Sequence, residues 1–169
     1  MSNIIEKLGA YQILTNLLPG IFFSLCLEFL FDISLPTENI VEDIVIYYFI
    51  GFIISRIGSL IIEPFLKKIN FIKFAPYNEF LKALKKDSKI DTLSELNNFL
   101  RSLLTSVTLL PLVKLGQELS IKCPCLSEFY VWIILIVIFL LFLFSYQKQT
   151  NYVRKRVDVI KEHPDENKV

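Results

Sequence analysis

The chain has 169 residues, 53% of them hydrophobic and 14% aromatic, with a mean hydropathy of +0.52. A soluble domain has a smaller apolar share, about 45–50%, spread along the chain by period, whereas here the apolar residues are piled into long blocks. Eighteen basic residues against seventeen acidic leave a net charge of +1, which excludes the strong global field that recruits nucleic acid.

Crossing a hydrocarbon layer of about 30 Å takes roughly 20 mostly apolar residues in a helix. The first block of that kind is ILTNLLPGIFFSLCLEFLFDI, residues 13–33. No basic n-region precedes it and no small-x-small cleavage site comes after it, so it is expected to be retained as a span. It carries Asn16 and Glu28 as intramembrane polar residues. It also holds Pro19-Gly20, a pair that frees a backbone carbonyl and weakens the helix at that point.

The second block, residues 44–62, reads IVIYYFIGFIISRIGSLII. Gly51, Ser55 and Ser59 follow a small-xxx-small register and Gly58 adds a further close-approach position, so this face is expected to pack tightly on another helix. Arg56 lies on the same span. By the rise of an α-helix it sits about 9 Å from Ile62, and an unpaired charge facing lipid there costs at least about 2.5–3.5 kcal/mol. Arg56 is therefore expected inside the bundle, with Asn16, Asn97, Asn98 and Glu95 matching its depth better than Glu28 does.

Residues 63–99 form an insertion rich in lysine. Pro76 is placed to open a short amphipathic helix running to about Lys86, with Phe74, Phe80, Leu81 and Leu84 on its apolar side. Its lysines Lys82, Lys85 and Lys86, with Lys89 just beyond, give a basic surface suited to anionic lipid headgroups or to docking a partner protein or nucleic acid, with lipid the ordinary explanation and nucleic acid the less expected partner. Thr92 and Glu95 have the spacing of a capping box, which would start a helix near residue 92 that continues into the third block, residues 100–116. Arg101 and Lys114 bracket that block and can snorkel to the two interfaces.

The fourth block, FYVWIILIVIFLLFLFSY, residues 129–146, is the most apolar, with Phe129, Tyr130, Trp132 and Tyr146 where interfacial aromatic belts belong. The tail 147–169 is expected to prolong this helix, with Arg154, Lys155 and Arg156 exposed, until Pro164 stops it. Lys and Arg crowd the insertion and the tail but are missing between the first two spans. The positive-inside rule then puts both termini and the insertion in the cytoplasm. That orientation requires an even number of spans, and Cys123 and Cys125 fall outside.

The expected fold class is all-α: an integral-membrane four-helix bundle with a helical cytoplasmic loop and a helical C-terminal extension. Residues 1–146 would form the transmembrane domain and 147–169 the basic tail. No metalloprotease, P-loop, nucleophile-elbow or dinucleotide-binding motif is present. The only histidine is His163, in the tail, and C-x-C is neither a zinc nor a redox spacing. The expectation is a protein with no enzymatic activity, no metal and no cofactor.

The segments NLLPG (16–20), ISRIGSLIIEP (54–64) and LSELNNFLRS (93–102) together resemble a group of small multi-span bacterial membrane proteins, some of which are membrane components of anti-phage systems. The resemblance implies a bacterial inner-membrane protein that acts with a separate sensor. The small-residue face, the buried arginine, the polar third block and the basic cytoplasmic surface add the expectation of a homo-oligomeric effector or scaffold, switched by a cytoplasmic partner and perturbing the membrane. A second comparison is with small multi-span exporters, some of which carry one essential glutamate in the first span, where this chain has Glu28. That comparison implies a small-solute or ion transporter, although such exporters are shorter and lack the 37-residue insertion found here.

Overall fold

The computed structural model describes residues 9, 11, 13–122 and 124–162; of residues 120–122, 124–131 and 160–162 only the backbone is described. All regular structure among them is helical. Helix α1 spans Ile13–Phe31, α2 Ile40–Lys68, α3 Tyr77–Lys86, α4 Lys89–Lys122 and α5 Pro124–Glu162. Four of these, α1, α2, α4 and α5, contain stretches long and apolar enough to cross a membrane. The expectations attached to Cys123, to the side chains of Cys125, Phe129 and Tyr130, and to His163 and Pro164 lie outside the described residues.

Two prolines leave the same mark on the backbone. Residues Ile13–Leu17 and Gly58–Ile62 each form a π-helical turn, and each turn ends two residues before a proline, Pro19 and Pro64. Proline lacks an N–H, and in an α-helix its ring collides with the carbonyl four residues back. A widened turn removes that collision and lets the helix run on. Span two therefore does not end at residue 62: it passes through the π turn and Pro64 to Lys68.

The helix ends obey local chemistry. At the start of α2 the Asn39 side chain accepts from the Val41 N–H at 3.0 Å, and its amide donates to Glu42 Oε1 at 3.1 Å. Helix α1 closes on Asp32 in the left-handed region, φ 54°, with the Asp32 and Ile33 N–H groups returning to the carbonyls of Glu28 and Leu27, the pattern of a Schellman stop. Helix α4 starts three residues before the predicted capping box. Asp87 accepts from the Lys89 N–H at 2.9 Å, so Thr92 lies within the helix. At its other end α4 runs on to Lys122, six residues past the third block, which leaves Lys114 well inside the helix.

Helices α1 and α2 touch backbone to backbone. A methyl group on Gly20 would overlap the Tyr47 carbonyl, and one on Gly51 would overlap the carbonyl of Asn16. Next to this contact Phe23, Leu27 and Ile54 form the buried apolar cluster, flanked by Ile50 and by Leu109, Leu110 and Val113 of α4. Helix α4 presents Ser102, Thr105 and Ser106, all fully buried. Each hydroxyl donates to the carbonyl four residues earlier, at 2.8–3.1 Å. With its polarity satisfied inside its own helix, this strip acts as a small-residue surface.

Helix α5 is different. Of its described side chains only Leu141 is buried, and 6% of its apolar stretch is covered, against 39% for α1. The amphipathic helix α3 buries nothing fully, with Phe80, Leu81 and Leu84 half-buried. Phe74 is exposed, its ring 4.1 Å below Lys67 Nζ.

The α1–α2 contact predicts that Gly20→Ala lowers stability by about 1–3 kcal/mol, because the colliding atom belongs to the backbone and cannot turn aside. Gly116→Ala, with nothing within 4 Å of the added carbon, should be neutral or stabilising by up to about 1 kcal/mol. Unfolding in mild detergent checks both, and equal midpoints for the two variants would exclude the tight contact.

Candidate functional site

The densest polar arrangement is built around Glu63, which sits just after the π turn of α2 and is 6% exposed. Arg101 of α4 donates from Nη1 to Glu63 Oε2 at 2.5 Å, and Lys67 donates to Oε1 at 2.8 Å. Lys148 of α5 lies 4.0 Å from Oε1. Its ammonium donates to the Ser59 carbonyl at 2.5 Å and to Ser59 Oγ at 2.7 Å. One carboxylate thus ties α2, α4 and α5 together at the end of the bundle that carries α3.

The extra residue of the π turn aims this carboxylate. Gly51, Ser55 and Gly58 are buried along one face of α2, and in an uninterrupted helix the next inward position would be 62. One added residue rotates the rest of the helix by about 100°, so Glu63 faces inward and Ile62 is only half-buried. A carboxylate without counter-charge could not occupy that place.

Arg56 lies about two turns further into the bundle and is half-buried. Its guanidinium stands 5.2 Å from the centre of the Phe52 ring, a cation–π distance. Among the described residues no carboxylate comes within ion-pair distance of it, and its Nε is buried without a hydrogen-bond partner. A polar cavity of about 20 Å³ is lined by Arg56, Ser59, Ser145, Lys148 and Gln149, room for about one water molecule. Arg56 and the Glu63 cluster therefore meet at Ser59 and Lys148.

The other residues singled out by sequence are dispersed. Asn16 is 4% exposed and passes its backbone against Gly51. Asn98 donates to the Tyr11 hydroxyl at 3.2 Å, Asn97 is exposed and Glu95 half-buried. Glu28 is exposed near the far end of α1, away from Arg56 and Glu63. The small residues of α2 face three different helices: Gly51 meets α1, Gly58 meets Thr105 and Arg101 of α4, and Ser59 meets Lys148 of α5. That face is used within one chain, so an interface between copies has to be built elsewhere. Lys82, Lys85, Lys86, Lys89, Lys155 and Arg156 are exposed, as is Arg154, whose pair with Asp158 is long at 3.9 Å.

Sequence reading missed Glu63, assigned Arg101 only to a helix end and counted Lys148 only among the basic residues of the tail. The signal was available. Glu63, Arg101 and Lys148 each lie within two residues of the same end of predicted spans two, three and four, which puts them at one depth. Among the described residues no group of His, Cys, Asp and Glu converges as metal ligands. Compared with protein-family models, curated proteins and solved structures, the chain has no match.

Replacing Glu63 by Gln keeps the shape and leaves Arg101 and Lys148 facing one another without a counter-charge. The expected loss is about 3 kcal/mol, with partial recovery in Glu63→Gln/Arg101→Met. Lys67 is 42% exposed along its side chain, and solvent screening holds the cost of Lys67→Ala to about 0.5 kcal/mol. Thermal unfolding in detergent ranks the three, and a Glu63→Gln variant as stable as the wild type would dismiss the cluster as a structural centre.

Proposed function

We propose that the chain is a multi-pass membrane effector or scaffold of the bacterial inner membrane, working as an oligomer and controlled by a cytoplasmic protein, with membrane perturbation in anti-phage defence as its setting. The observation that carries this reading is the attachment of α5. Its described fixed points are Leu141, the Phe142 ring 6.0 Å from Phe52, and Lys148 on Ser59 and Glu63. From Lys148 the helix continues to Glu162, about 21 Å, through the exposed Arg154, Lys155 and Arg156. A partner on this basic lever pulls on Lys148 and, through it, on the charge cluster, and the exposed lysines of α3 offer it a second basic surface.

The same helix offers a surface for assembly. Trp132, Ile136, Phe139, Leu143, Tyr146, Thr150 and Val153 recur at alternating spacings of four and three, all are exposed, and a helix seam has that period. Glu28, the carboxylate of the transporter alternative, stands apart from the buried charges, and no geometry among the described residues favours that reading over the effector.

Purified in mild detergent, the protein should run as a multiple of its 19.7 kDa chain, and Phe139→Ala/Leu143→Ala should shift it toward the monomer. Inducing the full chain together with its partner should collapse the membrane potential, and Lys148→Met should uncouple the two. A monomer with no effect on the potential would overturn the proposal.

Orientation is checked separately. An impermeant thiol reagent applied to intact spheroplasts should label the Cys123–Cys125 segment and spare a cysteine introduced as Lys85→Cys. The opposite pattern would place the basic surfaces outside and remove the cytoplasmic partner.

A further inference from the structure

A groove of about 670 Å³ runs between α5 and the π turn of α2, within the size range of small-molecule sites. Its lining changes character along its length. On α5, Val137, Leu141 and Phe144 line the end toward the bundle centre, and Lys148, Asn151 and Lys155 line the end toward the basic lever, where Leu60 follows Ser59, the residue that holds Lys148. The apolar wall of α5 begins at Val137, so it reaches about 10 Å before the polar wall starts. That is less than half of a hydrocarbon layer of about 30 Å, and an occupant of matching length belongs to a single leaflet.

The polar end is electrically unbalanced. Glu63 is already bonded to Arg101 and Lys67, and Lys148 stands at the longer distance of 4.0 Å. Lys148 is nonetheless fixed in place, since Ser59 holds its ammonium through two acceptors and the Tyr152 ring centre lies 5.8 Å away. Arg56 borders the same small cavity, and Lys155 is exposed at the groove mouth. Three cations therefore surround this end, while the nearby carboxylate is engaged elsewhere. The fitting occupant has an anionic head and an apolar chain.

We propose that the groove binds one phospholipid with an anionic headgroup, its phosphate met by Lys148 and Lys155 and one acyl chain laid along Val137, Leu141 and Phe144. A second copy of the chain fits less well. Copies inserted in the same orientation and paired symmetrically through this face would set Lys148 and Lys155 against themselves, because a two-fold interface presents the same patch on both sides. The groove also lies about 140° around α5 from the Phe139–Leu143 seam, so lipid and assembly use separate faces. The inference rests on the membrane reading above, but not on the effector activity or the oligomer.

The test uses the full chain, delipidated in mild detergent and titrated with phosphatidylglycerol, with phosphatidylcholine of the same acyl chains, or with inorganic phosphate, monitored by native mass spectrometry and thermal unfolding. The expected result is one phosphatidylglycerol per chain, bound at least about tenfold more tightly than phosphatidylcholine, with no thermal shift from phosphate alone. Lys155→Ala should weaken phosphatidylglycerol about fivefold, as expected for one lysine near a lipid surface, and leave phosphatidylcholine unchanged. Asn151→Trp should fill the groove and block both lipids while the fold, monitored by its helical signal, stays intact. Equal affinity for the two lipids, retention of phosphatidylglycerol by Asn151→Trp, or a dimer that Asn151→Trp dissolves would each overturn the site. A chain that binds phosphatidylglycerol yet leaves the membrane potential unchanged would cost the effector reading alone.

Discussion

The Glu63 carboxylate, enclosed by Arg101, Lys67 and Lys148, sets the arrangement of the helices at one end of the bundle. On the membrane reading proposed above, the hydrophobic effect supplies no net drive between helices, since a lipid tail competes for an apolar side chain as well as another helix does. Position is then decided by close backbone contact and by polar groups that have few other places to go. Both devices are present here, in different parts of the molecule. Glycine contacts join α1 to α2, and charge joins α2 to α4 and α5.

The division has a mechanical consequence. Helices α1, α2 and α4 share a core in which Ser102, Thr105 and Ser106 approach their neighbours without a methylene to spare, and closely packed interfaces of this kind resist deformation. Among the described residues helix α5 makes no such seam with the rest. Its described attachments are Leu141, Phe142 and Lys148, and Lys148, the one nearest the basic extension, lies where the charges meet.

Much of the architecture was legible in the sequence because it depends on bulk physical quantities: block length, apolar content and the placement of lysines. Four apolar helices, the short helix ending at Lys86 and the long continuation after Tyr146 are all set by these. The site was legible only in part, for a local reason. Glu63 comes directly after the last apolar residue of the second block, and helical periodicity counted through residue 62 turns it away from the interior. The π turn shifts that count by one, and its cause is Pro64, a residue that reads as a terminator when only α-helical geometry is considered. Glu28 shows the converse. A carboxylate within an apolar block draws attention, yet this one lies on an exposed face close to the end of α1.

Pro19 and Pro64 show why the same backbone pattern recurs in two helices. In each, a proline is preceded by a widened turn and lies next to a small residue or a charge at an interhelical contact: Gly20 against α2, and Glu63 against α4 and α5. A proline that merely kinked these helices would separate the faces needed for those contacts. A π turn keeps the axis continuous while rotating the face, which lets a single helix present one side to its neighbour before the proline and another after it. Helix α2 uses this rotation to meet α1 through Gly51 at one level and α4 and α5 through Glu63 at another. It is therefore the element on which the three other apolar helices converge.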